Sequence, residues 1–219
     1  MKRFFVTGIG TGVGKTIVSA VLTEAMQADY WKPIQTGAAV EITDSETVKS
    51  MLSNKKSVIH PEAFCLKKPV SPHEAAAEEK VEIIADKIIP PATSNTLVIE
   101  GAGGLLVPLN NRETMLDLIK FLNAEIILVV RHYLGSINHT LLSAHLLKHS
   151  GVKVAGIIYN GTPNRASEDA ITGFLSIPVI GRIKEQSHFT PAIVMRQATE
   201  LKTGLLSLQR EPVFFNPEI

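Results

Sequence analysis

Phe4-Phe5-Val6-Thr7-Gly8-Ile9-Gly10-Thr11-Gly12-Val13-Gly14-Lys15-Thr16 is a short apolar run that breaks into glycine and then meets a Lys-Thr pair. Beyond it Val18, Val21, Leu22 and Ala25 recur at helical spacing, so the order is strand, turn and helix, the order of a phosphate-binding loop. Glycines let the backbone turn its N–H groups inward around phosphate oxygens, Lys15 brings a point charge to the β- and γ-phosphates, and the Thr16 hydroxyl suits Mg2+. The spacing departs from the usual pattern: five residues separate Gly8 from Gly14 where the common loop has four, and Ile9 stands at the place of its first glycine. A turn that binds nothing has no need of a Lys-Thr pair at the helix start, which favours the phosphate reading.

The 219 residues suffice for a full core, and one domain spanning 1–219 is the default at this length. A hydrophobic fraction of 45 % with 20 % charged residues describes an ordinary globular chain. A net charge of +1 without a dense basic block argues against nucleic acid as a partner. Cys65 is the single cysteine and cannot form an internal disulfide, and no apolar stretch approaches a membrane span. The opening residues read as a first strand and not as a signal peptide, so the expectation is a soluble, cytoplasmic protein.

Along the chain, residues 30–37 read as one short strand stopped by Pro33, with Lys32 and Thr36 at its end. Residues 43–51 read as a helix with Thr43 as N-cap; there Asp44 is either helix-dipole decoration or a metal ligand. Ser71-Pro72-His73-Glu74 has the pattern of a capping box, and 83–89 continue helically up to Pro90-Pro91. Thr96-Leu97-Val98-Ile99-Glu100-Gly101-Ala102-Gly103-Gly104 is a buried strand ending in a carboxylate, at the edge where ligands bind in open α/β sheets. Residues 125–130 form another strand, Leu134-Gly135-Ser136-Ile137-Asn138-His139 leads into a helix closed by Ser150-Gly151, and 152–159 are the next strand. His145 and His149 lack a third ligand and read as ordinary helix residues. A helix from Asn164, a strand over 178–183, a helix to about 208 and an extended tail over 211–217 complete the chain. Alternation of helices with continuously apolar strands implies a doubly wound, mostly parallel α/β sheet.

Taken in order, five stretches resemble those of the dethiobiotin synthetase family: the lengthened loop ending Val13-Gly14-Lys15-Thr16, Lys32-Pro33 with Thr36-Gly37, Ser71-Pro72-His73, Glu100-Gly101-Ala102-Gly103-Gly104, and Leu134-Gly135-Ser136-Ile137-Asn138-His139. The resemblance covers nearly the whole chain. It implies a homodimer that converts 7,8-diaminopelargonate, CO2 and ATP to dethiobiotin, ADP and phosphate with Mg2+. In that family pattern Lys15 and Lys32 would hold the phosphates and the carbamate, and Thr11 and Thr36 would sit beside the reacting groups. Gly12, Val13, Gly14, Lys15 and Thr16 would wrap the phosphates, Thr16, Asp44 and Glu100 would surround Mg2+, and Asn160 would read the adenine edge. Gly135, Ser136, Ile137 and Asn138 would receive the substrate carboxylate from the neighbouring subunit. Acidic residues common in the family are replaced here by Gly10 and Gly12, and Lys184 stands where proline is expected.

Two other classes compete. A nucleotide switch of the partitioning-ATPase type would carry a second lysine early in the loop, which is missing here. A glutamine-using amide ligase would need a glutaminase domain, for which the chain has no room.

Overall fold

Parallel strands need both faces covered, and the arrangement of apolar runs in this chain meets that demand. The computed structural model describes residues 2–206. Its elements are β1 (Arg3–Gly8), α1 (Lys15–Met26), β2 (Asp29–Trp31), β3 (Ile34–Gln35), α2 (Asp44–Met51), β4 (Ile59–His60), β5 (Phe64–Cys65), α3 (Pro72–Glu78), β6 (Leu97–Glu100), α4 (Met115–Leu122), β7 (Glu125–Val130), α5 (Ser136–Ser150), β8 (Val154–Asn160), α6 (Arg165–Phe174), β9 (Val179–Ile183) and α7 (Pro191–Leu205). The main sheet runs β4-β2-β6-β1-β7-β8-β9, and every neighbouring pair is parallel. All of β6 and β8, and nearly all of β1 and β7, are buried at successive positions, as strands covered on both faces must be. The strand order reverses at β1, which pairs with β6 on one side and β7 on the other. That reversal opens a crevice at the carboxyl ends of the strands, and the glycine-rich loop leaves β1 into it.

Several sequence expectations are corrected by the folded chain. Residues 30–37 do not form one strand: the run stops at Lys32, and β3 pairs with β5 in a separate small sheet. The cause is Pro33, which has no N–H for the ladder; its carbonyl instead accepts from the amides of Ala63 at 3.0 Å and Phe64 at 2.9 Å. The capping box at Ser71 is not made, because the Ser71 hydroxyl lies 3.0 Å from Nδ1 of His73, although Pro72 does open α3. Residues 83–89 hold only one 3-10 turn, Ala85–Lys87, whose first amide is taken by Glu113 at 3.0 Å. The tail over 211–217, and the end of the helix expected to reach 208, lie outside the described residues.

One helix went unread. In α4 the residues Met115, Leu116, Leu118, Ile119 and Leu122 are buried on an apolar stripe. Asp117 accepts from the Thr114 amide at 2.7 Å and its hydroxyl at 2.8 Å. The Thr-x-x-Asp pattern before that stripe was the available signal.

Candidate active site

The loop between β1 and α1 turns through two left-handed glycines, Gly12 at φ 72° and Gly14 at φ 90°. Gly14 is required twice over, since a Cβ there would also lie 2.0 Å from Nδ2 of Asn160. Asn160 ends β8 and donates that Nδ2 to the Val13 carbonyl at 2.9 Å, so the far strand braces the loop. Lys15 and Thr16 then form the first turn of α1. Lys15 is 8 % exposed and its ammonium reaches back to the Gly10 carbonyl at 3.0 Å. Burial, with the charge of Lys32 nearby, lowers its pKa to about 8.

Across the crevice, Lys32 follows β2, Glu100 ends β6 and Asp44 opens α2. The Lys32 ammonium forms ion pairs with Asp44 and, at 3.1 Å, with Glu100. The single Thr16 hydroxyl lies 2.9 Å from an oxygen of each of these carboxylates. Glu100 has a further partner that sequence reading missed: the buried Tyr30 hydroxyl donates to its Oε2 at 2.9 Å. Burial by itself would lower the Lys32 pKa, but the two acids around it raise it above the usual lysine value. Burial likewise works against the charged form of Asp44, yet Lys32 and the Thr16 hydroxyl hold its carboxyl below the ordinary range.

Asp44 is therefore more than helix decoration in its placement. The capping role belongs to Thr43 and Glu46, which exchange bonds at 3.0 and 3.2 Å, and Asp44 turns inward. Its amide is tied to Gln35 Oε1 at 3.1 Å, while the Gln35 amide group donates to the Thr36 carbonyl at 2.7 Å. Gln35 thus links the acid to Thr36, another connection the sequence did not announce.

Thr11, Gly12, Gly14, Lys15, Thr16, Lys32, Thr36, Asp44 and Glu100 line one cavity of about 460 Å3. Two carboxylates and a hydroxyl are a hard-oxygen donor set, the kind that Mg2+ accepts when phosphates and water complete its shell. The one Thr16 proton can serve only one of these acids at a time, so a cation between them would replace a bond that the hydroxyl leaves unmade. Among the described residues, no three His, Cys, Asp or Glu side chains gather as a metal cluster. His145 and His149 are exposed, with His149 bonded to the His145 carbonyl at 2.7 Å.

Residues 135–138 do not line that cavity. Gly135, at φ 101°, caps α5, with Ser136 buried beneath it. A separate groove of about 650 Å3 runs between residues 8–11 of the loop, residues 104–108 and the α5 side chains His139, Leu142, Ser143 and Leu146. Leu106, Leu134 and Leu142 are 64, 104 and 60 % exposed. Arg131, the arginine closest to this motif in sequence, pairs with exposed Glu185 at 2.6 Å. Lys184 pairs with Glu200 at 2.8 Å, and its backbone is clamped on both sides by the buried Gln197.

A model of the AAA domain family matches residues 2–192. An ATP-dependent dethiobiotin synthetase of Cytophaga hutchinsonii is 48 % identical over 92 % of this chain and 97 % of its own length. One from Christiangramia forsetii is 47 % identical over 94 % of this chain and 99 % of its own. Among solved structures, the cell division ATPase MinD of Pyrococcus furiosus superimposes with a TM-score of 0.61 at 17 % identity, covering 95 % of this chain and all of that one, a likeness of fold alone.

Replacing Lys32 by methionine keeps most of its bulk and leaves buried Glu100 and half-buried Asp44 without their shared cation. Lys32→Met should lose about 3 kcal/mol of unfolding free energy at neutral pH in EDTA, the scale for removing one partner of a buried ion pair. Because the Asp44 pKa is lowered in the folded chain, its pairing stabilises above the ordinary carboxylate range and is lost as pH falls through the lowered value. The gap between the two proteins should thus be widest near neutrality and close in acid. Urea unfolding at several pH values checks this; equal stability at neutral pH, or a gap that ignores pH, contradicts it.

Proposed function

The chain belongs to the ATP-dependent dethiobiotin synthetase family, and we propose on that footing that it closes the ureido ring of dethiobiotin from 7,8-diaminopelargonate, CO2 and ATP. The observation that carries the reading is the pair Lys15 and Lys32 set with Thr16, Asp44 and Glu100 around one cavity. The chemistry asks for positioning and positive charge. A free amine of the substrate adds to CO2 and loses a proton to solvent, giving a carbamate that is already an anion and needs no general base. A carbamate oxygen attacks the γ-phosphorus, the bond to the β-phosphate oxygen breaks, and ADP leaves. The second amine then attacks the carbonyl carbon of the mixed anhydride, and phosphate departs as the ring closes.

Each residue has a place in that sequence. Amides of Gly12, Val13, Gly14, Lys15 and Thr16 wrap the phosphates at the start of α1, where the helix dipole favours anions. Lys15 and Lys32 balance charge on the transferring phosphoryl group and the carbamate. Thr16, Asp44 and Glu100 would hold Mg2+, which would supply positive charge to the polyphosphate. With glycines at 10 and 12, the loop adds no carboxylate to that set. Thr11 and Thr36 flank the reacting groups. Asn160, its Nδ2 committed to Val13, offers Oδ1 as an acceptor suited to the exocyclic amine of adenine. The protein works in the cytoplasm, where its co-substrate ATP is made and used.

The substrate carboxylate lies far from the reacting amines, and Arg131 is engaged with Glu185. We assign that carboxylate to Gly135, Ser136, Ile137 and Asn138 of a second subunit, where the helix start favours an anion, although the Ser136 amide is already bonded to the Tyr133 carbonyl at 2.9 Å. Exposed Leu106 and Leu142 in the loop groove, with exposed Leu134 just before α5, supply apolar surface for such a homodimer.

Incubation with diaminopelargonate, bicarbonate, Mg2+ and ATP should give dethiobiotin and ADP in equal amounts, and Lys15→Ala should lower the rate by about two to three orders of magnitude. ATP hydrolysis without dethiobiotin would instead indicate the partitioning-type nucleotide switch. For the shared site, a Lys15→Ala chain mixed with an Asn138→Asp chain should regain activity, since each heterodimer then holds one undamaged site. Inactive heterodimers, with exchange demonstrated, would remove the second subunit from the site.

A further inference from the structure

Tyr30 lies in β2 and is fully buried. Its hydroxyl nevertheless ends on a carboxylate of the site. Tyr30 pairs with Val98 in the register of β2 with β6, and Glu100 follows Val98 by two residues, so it projects from the same face. Lys32 likewise follows Tyr30 by two. The two side chains therefore reach the same carboxylate from β2 and the residue that follows it.

They take different oxygens of it. Lys32 at 3.1 Å and Thr16 at 2.9 Å both address Oε1, whereas Tyr30 addresses Oε2 at 2.9 Å. Thr16 and Lys32 line the cavity; Tyr30 is not among its lining residues. The terminal torsion of a glutamate is broad, so a carboxylate at the end of a strand can rotate unless both oxygens are engaged. Phenylalanine would fill the same volume without the cost of burying a hydroxyl, so packing alone does not account for the oxygen.

We infer that Tyr30 is a positioning residue for Glu100, pinning Oε2 so that Oε1 is the oxygen presented to the cation. The inference rests on the reading of Glu100 as a metal ligand given under Proposed function. Outer partners of a ligating carboxylate typically govern metal affinity by about 10- to 100-fold.

The test is Tyr30→Phe, which removes one atom and keeps the ring. Mn2+ binding in the presence of ADP is followed by the loss of the free-ion electron paramagnetic resonance signal, with Glu100→Gln measured alongside. The expected result is a dissociation constant for Mn2+ raised about tenfold or more in Tyr30→Phe. In the Mg2+ titration of turnover, the half-saturating concentration should rise by more than kcat falls. A structural role alone would shift the unfolding midpoint and leave the metal titration in place. Wild-type Mn2+ affinity in Tyr30→Phe, with weakened affinity in Glu100→Gln, overturns the positioning role and leaves the metal reading standing. Wild-type affinity in both variants overturns the two together.

Discussion

A lysine held between two acids under the lip of the sheet sets the terms for everything around it. Lys32 is 4 % exposed and Glu100 1 %. A buried charge is tolerated when it is paired and hydrogen-bonded. Lys32 meets Asp44 and Glu100, Glu100 meets Tyr30 and Thr16, and Thr16 returns to Asp44. Lys15 stands at the edge of this ring with a pKa of about 8, close enough to Lys32 to feel its charge. Lys15 and Lys32 face Asp44, Glu100 and the exposed Glu41 across the cavity wall. A polyphosphate with its cation can enter that field by exchanging partners, and neither charge has to be left uncompensated.

The fold supplies these groups from four separate elements. Parallel pairing brings the ends of β1, β2 and β6 to one edge, and the strand-order reversal at β1 opens the space above them. The loop is braced from the opposite side by Asn160 through Val13, so both halves of the sheet converge on it. Asp44 comes from outside the sheet on α2, with Gln35 holding its amide. Gly14 ties backbone conformation to tertiary packing, because the left-handed turn and the space under Asn160 both exclude a side chain.

Much of this was legible in the chain. The strand, glycine turn and Lys-Thr pair announced the loop, and Glu100 was visible because a carboxylate at the end of an apolar strand has few other reasons to be there. Asp44 was ambiguous for a physical reason: acids in a first turn usually serve the helix, and only the fold reveals that Glu46 takes that task. Tyr30 was invisible, since a tyrosine between Asp29 and Trp31 in a short strand gives no sign of a partner that lies 70 residues away. The Ser71 capping box failed because an imidazole two residues on competes for the same hydroxyl. Gly135, Ser136, Ile137 and Asn138 carry a functional expectation only through family resemblance, and within one subunit they stand apart from the cavity.

The account holds that Lys15, Lys32 and the acid pair serve attack by a carbamate on the γ-phosphate, with no water admitted as the nucleophile. Oxygen labelling tests this most directly. A single turnover begun with C18O2 in unlabelled water, quenched before the label exchanges, should place one 18O atom in the released phosphate for each dethiobiotin formed. Phosphate without the label, its new oxygen drawn from solvent, would contradict the account.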